Sequence, residues 1–344
     1  MDIFIAAVFL GAFLLYFYLM PQAGSGSSVS LLQETAVSQQ TFDLLGGTDK
    51  KTSRKHAPDK HSGKSSGGSP AGSGNTNTTA ISSDTTESYS LAQIAQTVTQ
   101  IDSVQNDSIQ LTITKTQLGE GDNVITYYTA DAYLSSIEQL RSAFASGTYG
   151  KNMRESTLKM AQDNQALFAI SGDSYGNCET GVVARNGVLY RNAVNDAEIC
   201  VLYYDGTMDI LTPSEFDQAE ILQKNVWQIW NFDPSLLSGG TVKDTFQTTS
   251  YLNRQHPRCA IGYIAPGHYK FVVIDGRDSG YSRGATMSEL AQIMANEGCI
   301  LAYNLDGGKS SAMVFQNQYV NQPADGGRDI SDIIYLTAAQ NPGS

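Results

Sequence analysis

Apolar positions follow three different regimes along this 344-residue chain. Residues 3–20 are apolar without a single charge, residues 23–88 show no periodicity at all, and from Tyr89 onward short apolar runs alternate with polar residues. In the last region a strand-like period of two predicts strands over 109–115, 124–134, 167–170, 181–185, 199–204, 259–265, 270–274, 300–305, 313–315 and 333–336. Asn186-Gly187 and Asp205-Gly206 fall between such runs and predict hairpin turns, because both pairs tolerate positive φ. Helical spacing is scarcer: 90–98 and 137–142 are candidates, and the region of Met160 is a further one. One helix carries its own start and stop. Thr286-Met287-Ser288-Glu289 is a capping box, Leu290, Ile293 and Met294 follow on one face, and Gly298 supplies a left-handed end. The resulting expectation is an α+β fold, a strand-rich mixed-sheet domain with few helices over 89–344.

The two preceding regions predict something other than a core. A helix over 3–20 is about 27 Å long, close to the hydrocarbon thickness of a bilayer, so residues 1–22 read as one transmembrane anchor. A cleaved signal peptide is the alternative. The segment before the apolar run, Met1-Asp2, lacks the Lys or Arg that such peptides carry, although Ala23-Gly24-Ser25 offers small residues for cleavage. No basic residue flanks the span closely enough to orient it. Residues 23–88 are dominated by Ser, Gly, Thr, Lys and Gln and read as a flexible linker, unable to bury enough apolar surface to offset the entropy of ordering. Their basic run from Lys50 to Lys64 is either a solvated stretch or a contact for anionic lipid or wall polymer.

Charge and cysteine usage narrow the chemistry. The net charge is −12, most of it in residues 89–344, and no basic stripe interleaved with aromatics appears there. Nucleic acid is therefore not an expected partner. An anionic substrate would have to be held by a few specific arginines. Cys178, Cys200, Cys259 and Cys299 form no CxxC pair and the four His no HxxxH pair, which argues against structural zinc. The cysteines are either buried free thiols or disulfides, with Cys178–Cys200 the nearest local pair.

Several short motifs can be weighed on the residues alone. Gly172-Asp173-Ser174-Tyr175-Gly176 matches the G-x-S-x-G nucleophile elbow, but a second strand and no helix is expected after it. Gly308-Lys309-Ser310 lacks the first glycine of a phosphate loop, as does Gly63-Lys64-Ser65. Asn304-Leu305-Asp306-Gly307-Gly308-Lys309-Ser310-Ser311 is richer. It is either the turn of a hairpin joining 300–305 to 313–315 or a ligand loop, in which glycines let backbone amides approach an anion as a nest, the serines add hydroxyls and Asp306 adds a carboxylate. Arg258 and Arg277 stand near strand ends, where guanidinium forks suit phosphate oxygens.

Taken in order, four segments resemble the phosphodiester glycosidase family. They are His256-Pro257-Arg258-Cys259-Ala260-Ile261-Gly262, Val273-Ile274-Asp275-Gly276-Arg277, Gly284-Ala285-Thr286-Met287-Ser288-Glu289-Leu290-Ala291, and Tyr303 through Ser311. Arg328-Asp329-Ile330-Ser331-Asp332 is similar to the family's closing strand. The resemblance implies hydrolysis of a sugar-1-phosphodiester, of the N-acetylhexosamine-1-phosphate type, in an extracytoplasmic glycan or wall polymer. It also implies a C-terminal domain held outside the membrane.

Carried over residue by residue, it places Arg258, Asp275, Arg277, Asn304, Asp306, Gly307, Gly308 and Ser310 around the substrate. Arg258 and Arg277 would bind the phosphodiester, Asp306 would act at the anomeric carbon, and Asp173 or Asp275 would be the second carboxylate. The family's early Asn-Gly motif corresponds to Ser171-Gly172-Asp173, so Ser171 stands where Asn is usual, and Lys309 stands where a third Gly is usual. These two departures keep a second expectation open, a non-catalytic glycan-binding envelope protein derived from such an enzyme. No cofactor is implied, although a divalent cation could assist phosphate binding through Asp275 and Asp306.

Overall fold

The computed structural model describes Leu91 and residues 94–338, within the unit Ser88–Ser344. The expected anchor at 1–22 and linker at 23–88 lie outside the described residues. No helix among the described residues is long and apolar enough to cross a membrane.

The described residues form three sheets. The largest has eight strands, in the order β1 (Gln96–Gln105), β2 (Ile109–Leu118), β3 (Ile125–Leu134), β14 (His268–Ile274), β13 (Arg258–Ala265), β15 (Leu301–Leu305), β11 (Ser235–Ser238) and β12 (Thr241–Val242). A second sheet runs β7 (Val188–Ala193), β6 (Gly181–Arg185), β10 (Val226–Trp230), β8 (Ile199–Tyr203) and β9 (Met208–Leu211). The third runs β17 (Gln318–Tyr319), β16 (Met313–Phe315), β5 (Phe168–Ser171), β18 (Asp332–Leu336) and β4 (Leu140–Phe144). Among the described residues three α-helices accompany them: α1 (Thr157–Asp163), α2 (Gln218–Gln223) and α3 (Met287–Asn296).

All ten predicted strands form. The sheets are not mixed, however, since every strand pair among the described residues is antiparallel. The crossover β14–α3–β15 does deliver two strands of the same direction, but it skips one place. The antiparallel β13 fills the gap, pairing Cys259 with Val273 on one side and Leu305 on the other.

A shared core explains how the sheets dock. Phe271 and Ile261 of the large sheet, Trp230 and Leu202 of the second, and Phe168 and Ile334 of the third belong to one buried cluster. The large sheet is covered on its other face by α3, whose Leu290, Ile293 and Met294 cluster with Ala260, Val272 and Leu236. Burial on both faces is why β13 reads as a nearly unbroken apolar run. The capping box of α3 forms as expected: the Thr286 hydroxyl accepts from the Glu289 amide at 3.2 Å, and the Glu289 carboxylate accepts from the Thr286 amide at 2.8 Å.

Two helix expectations are overturned. The stretch 90–98 does not form one helix, because from Gln96 the chain is strand β1, where β-branched residues such as Thr97 and Val98 favour the pleat. At 137–142 a capping box at Ser136 yields one 3-10 turn, Ile137–Gln139, before the chain extends into β4. Cys178 and Cys200 are not joined: all four cysteines are free, with Cys178 exposed and the other three buried.

Candidate active site

Three strand ends of the large sheet meet at one place. The antiparallel register sets the start of β13 beside the ends of β14 and β15, with Arg258 opposite Ile274 and Cys259 opposite Leu305. The chain therefore releases Arg258, the Asp275-Gly276-Arg277 turn and Asp306 side by side. A cleft of about 690 Å³ opens there, lined by Asp233, His256, Pro257, Arg258, Arg277, Asn304, Asp306, Gly307, Gly308, Lys309 and Arg328, with the segments 247–249 and 251–252 along one wall. That volume suits a small molecule or one end of a polymer.

One side of the cleft is cationic. Arg258 is 4% exposed, and its donors go to carbonyls: Nε to Ala285 at 2.9 Å, Nη2 to Leu252 at 2.6 Å and to Arg254 at 2.7 Å. No carboxylate among the described residues forms an ion pair with it. Burial lowers its pKa to about 10, so the guanidinium remains charged at neutral pH. A buried cation held rigidly and left without an anion is poised for an anionic ligand. Arg277 is exposed, adopts φ +63°, and directs Nη2 to His256 Nδ1 at 3.4 Å. His256 Nε2 lies 2.9 Å from the Tyr251 carbonyl. The ring is thus neutral, with Nε2 donating and Nδ1 accepting. Burial, with Arg258, Arg277 and Arg254 close by, holds its pKa below the usual histidine range.

Asp306 lines the same cleft. Arg328 Nη2 reaches both its carboxylate oxygens, the Ser310 hydroxyl donates to Oδ2 at 2.7 Å, and Arg328 Nε donates to that hydroxyl at 2.6 Å. Burial pushes the Asp306 carboxyl above its ordinary pKa, while Arg328 and the hydroxyls of Ser310 and Ser174 oppose the shift. The loop carrying it is no hairpin turn, since β15 and β16 belong to different sheets. Three of its amides are not free for the expected nest. Gly308 donates to Pro257, Ser310 to Gly307 and Ser311 to Gly308, so these three are spent inside the protein. The glycine at 307 answers a steric need instead, because a Cβ there would lie 2.9 Å from the Pro257 oxygen. Lys309 stands at the rim, paired with Asp325 at 2.7 Å.

Several expected site residues lie behind the cleft and not in it. Asp275 is 1% exposed, and its carboxylate accepts from Asn321 at 2.7 Å, Tyr281 at 2.9 Å and the Gln322 amide at 3.0 Å. It ties the strand end to the 321–322 segment and does not join Asp306 in a cation site. Asp173 is likewise consumed, accepting from Arg185 at 2.7 Å, the Tyr175 amide at 3.1 Å and the Asn231 amide at 2.9 Å. Arg185 also binds Asp332 at 2.9 Å, which makes a fully buried carboxylate–guanidinium–carboxylate triad. Gly172 packs on Asp332, whose carboxylate would lie 2.5 Å from a Cβ there. The Ser171 hydroxyl donates to the Ser310 carbonyl and braces the loop from behind, as Ser310 braces Asp306. Ser174 does adopt the left-handed conformation of an elbow, φ +61°, but a 3-10 turn and strand β6 follow it, as expected of a non-elbow.

Residue patterns did not single out His256, Arg328 or Asp233 as site residues. His256 and Arg328 each sat inside a recognised motif, but their reach into the cleft depends on how separate segments fold together. Asp233 carried no local signal beyond the Asp-Pro pair at the head of β11.

A SPbeta prophage-derived uncharacterized protein, YomE, of Bacillus subtilis (strain 168) is 33% identical over 188 residues, 53% of this chain and 29% of that protein. The chain thus spans less than a third of that relative's length. Among solved structures, the catalytic domain of zebrafish N-acetylglucosamine-1-phosphodiester alpha-N-acetylglucosaminidase, auto-inhibited by its pro-peptide, shares the fold with a TM-score of 0.57. It is 18% identical, over 72% of this chain and 89% of that one. Residues 159–337, which carry the strand ends, the two arginines, Asp306 and Arg328, match the model of the family described as phosphodiester glycosidase, and the chain belongs to that family.

Proposed function

We propose that the cleft hydrolyses a sugar-1-phosphodiester. Arg258 and Arg277 would take the phosphodiester oxygens, and Asp306 would act at the anomeric carbon as nucleophile or as base for the attacking water. The observation that carries this reading is the presence, in one cleft, of a buried arginine that forms no ion pair with a carboxylate among the described residues and of a buried carboxylate, Asp306. A phosphate monoester is a good leaving group, so the reaction asks less of an acid catalyst than an ordinary glycoside does. Burial of Asp306 raises its basicity, and Arg328 with Ser310 fixes its orientation. An N-acetylhexosamine-1-phosphodiester end of an extracytoplasmic glycan or wall polymer fits the cleft size, and the apolar run at 3–20 would hold the domain at the membrane.

The motive for a non-catalytic reading weakens, because Ser171 does not line the cleft and Lys309 is neutralised by Asp325. The test is Asp306→Asn, assayed by release of reducing sugar from an N-acetylhexosamine-1-phosphodiester. Turnover should fall by about 100-fold or more with the fold retained. Unchanged turnover would overturn the assignment of Asp306.

A further inference from the structure

Asp233 concentrates costs that a folded protein ordinarily avoids. It holds φ +81° without being glycine, a conformation that strains an L side chain. Its backbone is locked there, with the amide donating to the Tyr303 hydroxyl at 2.9 Å and the carbonyl accepting from Asn304 Nδ2 at 2.9 Å. Its Oδ1 is buried and meets no hydrogen-bond partner, and the same holds for the neighbouring Asn304 Oδ1. Buried acceptors without donors are rare and destabilising. Both residues line the cleft that Arg258 and Arg277 also line.

Glu198 explains how an acidic group persists there. Ser235 donates to it through its amide and its hydroxyl, each at 2.8 Å, and Lys243 Nζ lies 2.8 Å away, which keeps Glu198 ionised. Burial, and then the charge and hydrogen bond of Glu198, raise the Asp233 carboxyl to about 7. In its protonated form Asp233 carries no charge, and its Oδ1 and the Asn304 Oδ1 both remain without a donor.

We infer that Asp233 and Asn304 form a sugar subsite, in which their two unpartnered oxygens accept hydrogen bonds from hydroxyl or acetamido N–H donors of the ring whose phosphate lies on the arginines. This assignment of the sugar end rests on the function proposed above, and it gives the cleft a direction: phosphate toward Arg258 and Arg277, ring donors toward Asp233.

Binding, measured calorimetrically on the full chain, tests it without requiring turnover. The probes are N-acetyl-α-D-glucosamine 1-phosphate, its uncharged counterpart methyl N-acetyl-α-D-glucosaminide, and inorganic phosphate. The sugar phosphate should bind at least about tenfold more tightly than inorganic phosphate, since one or two hydrogen bonds are added. Asp233→Gly removes the carboxyl while suiting φ +81°, so this variant should fold at least as stably as the parent. It should lose the tenfold advantage and bind inorganic phosphate unchanged. Asn304→Ala should show the same loss. A glycine variant that keeps the sugar advantage overturns the subsite, as does a sugar phosphate that binds the parent no better than inorganic phosphate does. If inorganic phosphate fails to bind while the methyl glycoside binds and depends on Asp233, the subsite stands and the phosphate reading of the arginines falls. If the glycoside and the sugar phosphate both fail to bind, the subsite falls.

Discussion

Arg328 holds Asp306 within the cleft, one guanidinium nitrogen lying 3.0 Å from Oδ1 and 3.1 Å from Oδ2. Burial works in the opposite direction, raising the carboxyl pKa, and Arg328 is the strongest influence restraining that rise. Arg328→Ala should therefore move the Asp306 pKa further upward. If Asp306 reacts in its ionised form, the acid limb of the kcat/KM profile should shift to higher pH, with part of the lost rate regained on the alkaline side. A profile reduced uniformly, with no displacement of the limb, would show that Arg328 acts on substrate and not on Asp306.

The two cleft arginines should separate by their anchoring. Arg277 is exposed and bonds only to His256 among the described side chains, so Arg277→Ala should leave the melting temperature nearly unchanged. It should lower kcat/KM by about tenfold to a hundredfold, the worth of one charge-assisted contact. Arg258 also ties Leu252, Arg254 and Ala285 together. Arg258→Ala should lose both activity and stability, and Arg258→Lys should restore charge without restoring the three carbonyl contacts. Thermal melts beside steady-state kinetics would separate these outcomes.

The triad Asp173–Arg185–Asp332 predicts a pH signature of stability. Two buried carboxylates share one guanidinium, and burial, together with the charge of Asp173, raises the Asp332 carboxyl to about 7. An unfolded Asp titrates near 3.9. The group therefore stabilises the fold fully below about pH 4, and that contribution is lost as pH rises through about 7. Asp332→Asn removes this titration, so the variant should lose less stability than the parent between those limits, by an amount on the order of a few kcal/mol. Parallel melts that keep the same pH dependence in parent and variant would refute the assignment. Arg185→Ala, which strands two buried carboxylates, should cost about 3–5 kcal/mol.

The strands and α3 were legible because their signals are local. The capping box at Thr286 and Glu289 needs only three residues of spacing, and the turns at Asn186-Gly187 and Asp205-Gly206 need two. Misreadings arose where partners are distant in sequence. Asp275 looked available until Asn321 and Gln322 saturated it, and Asp173 until Arg185 and Asn231 did. Asp306, Arg258, Arg277 and Asn304 were found because the family motifs contain them, and all four line the cleft. Asp233 stayed hidden because its importance lies in a backbone angle and an unpartnered oxygen, neither of which composition encodes.

The loop between β15 and β16 leaves one sheet and enters another. Asp306 stands at its first end and Ser310, the residue that orients it, near its second, while Ser171 grips it from β5 of the receiving sheet. The Asp306 carboxylate is thus stitched across the seam where two sheets are docked. A partially unfolded form that kept the large sheet but released its neighbour would retain both arginines and lose the alignment of Asp306. Activity in this protein should consequently behave as a gauge of sheet docking, fading at the first loosening of the seam, ahead of any loss of strand content.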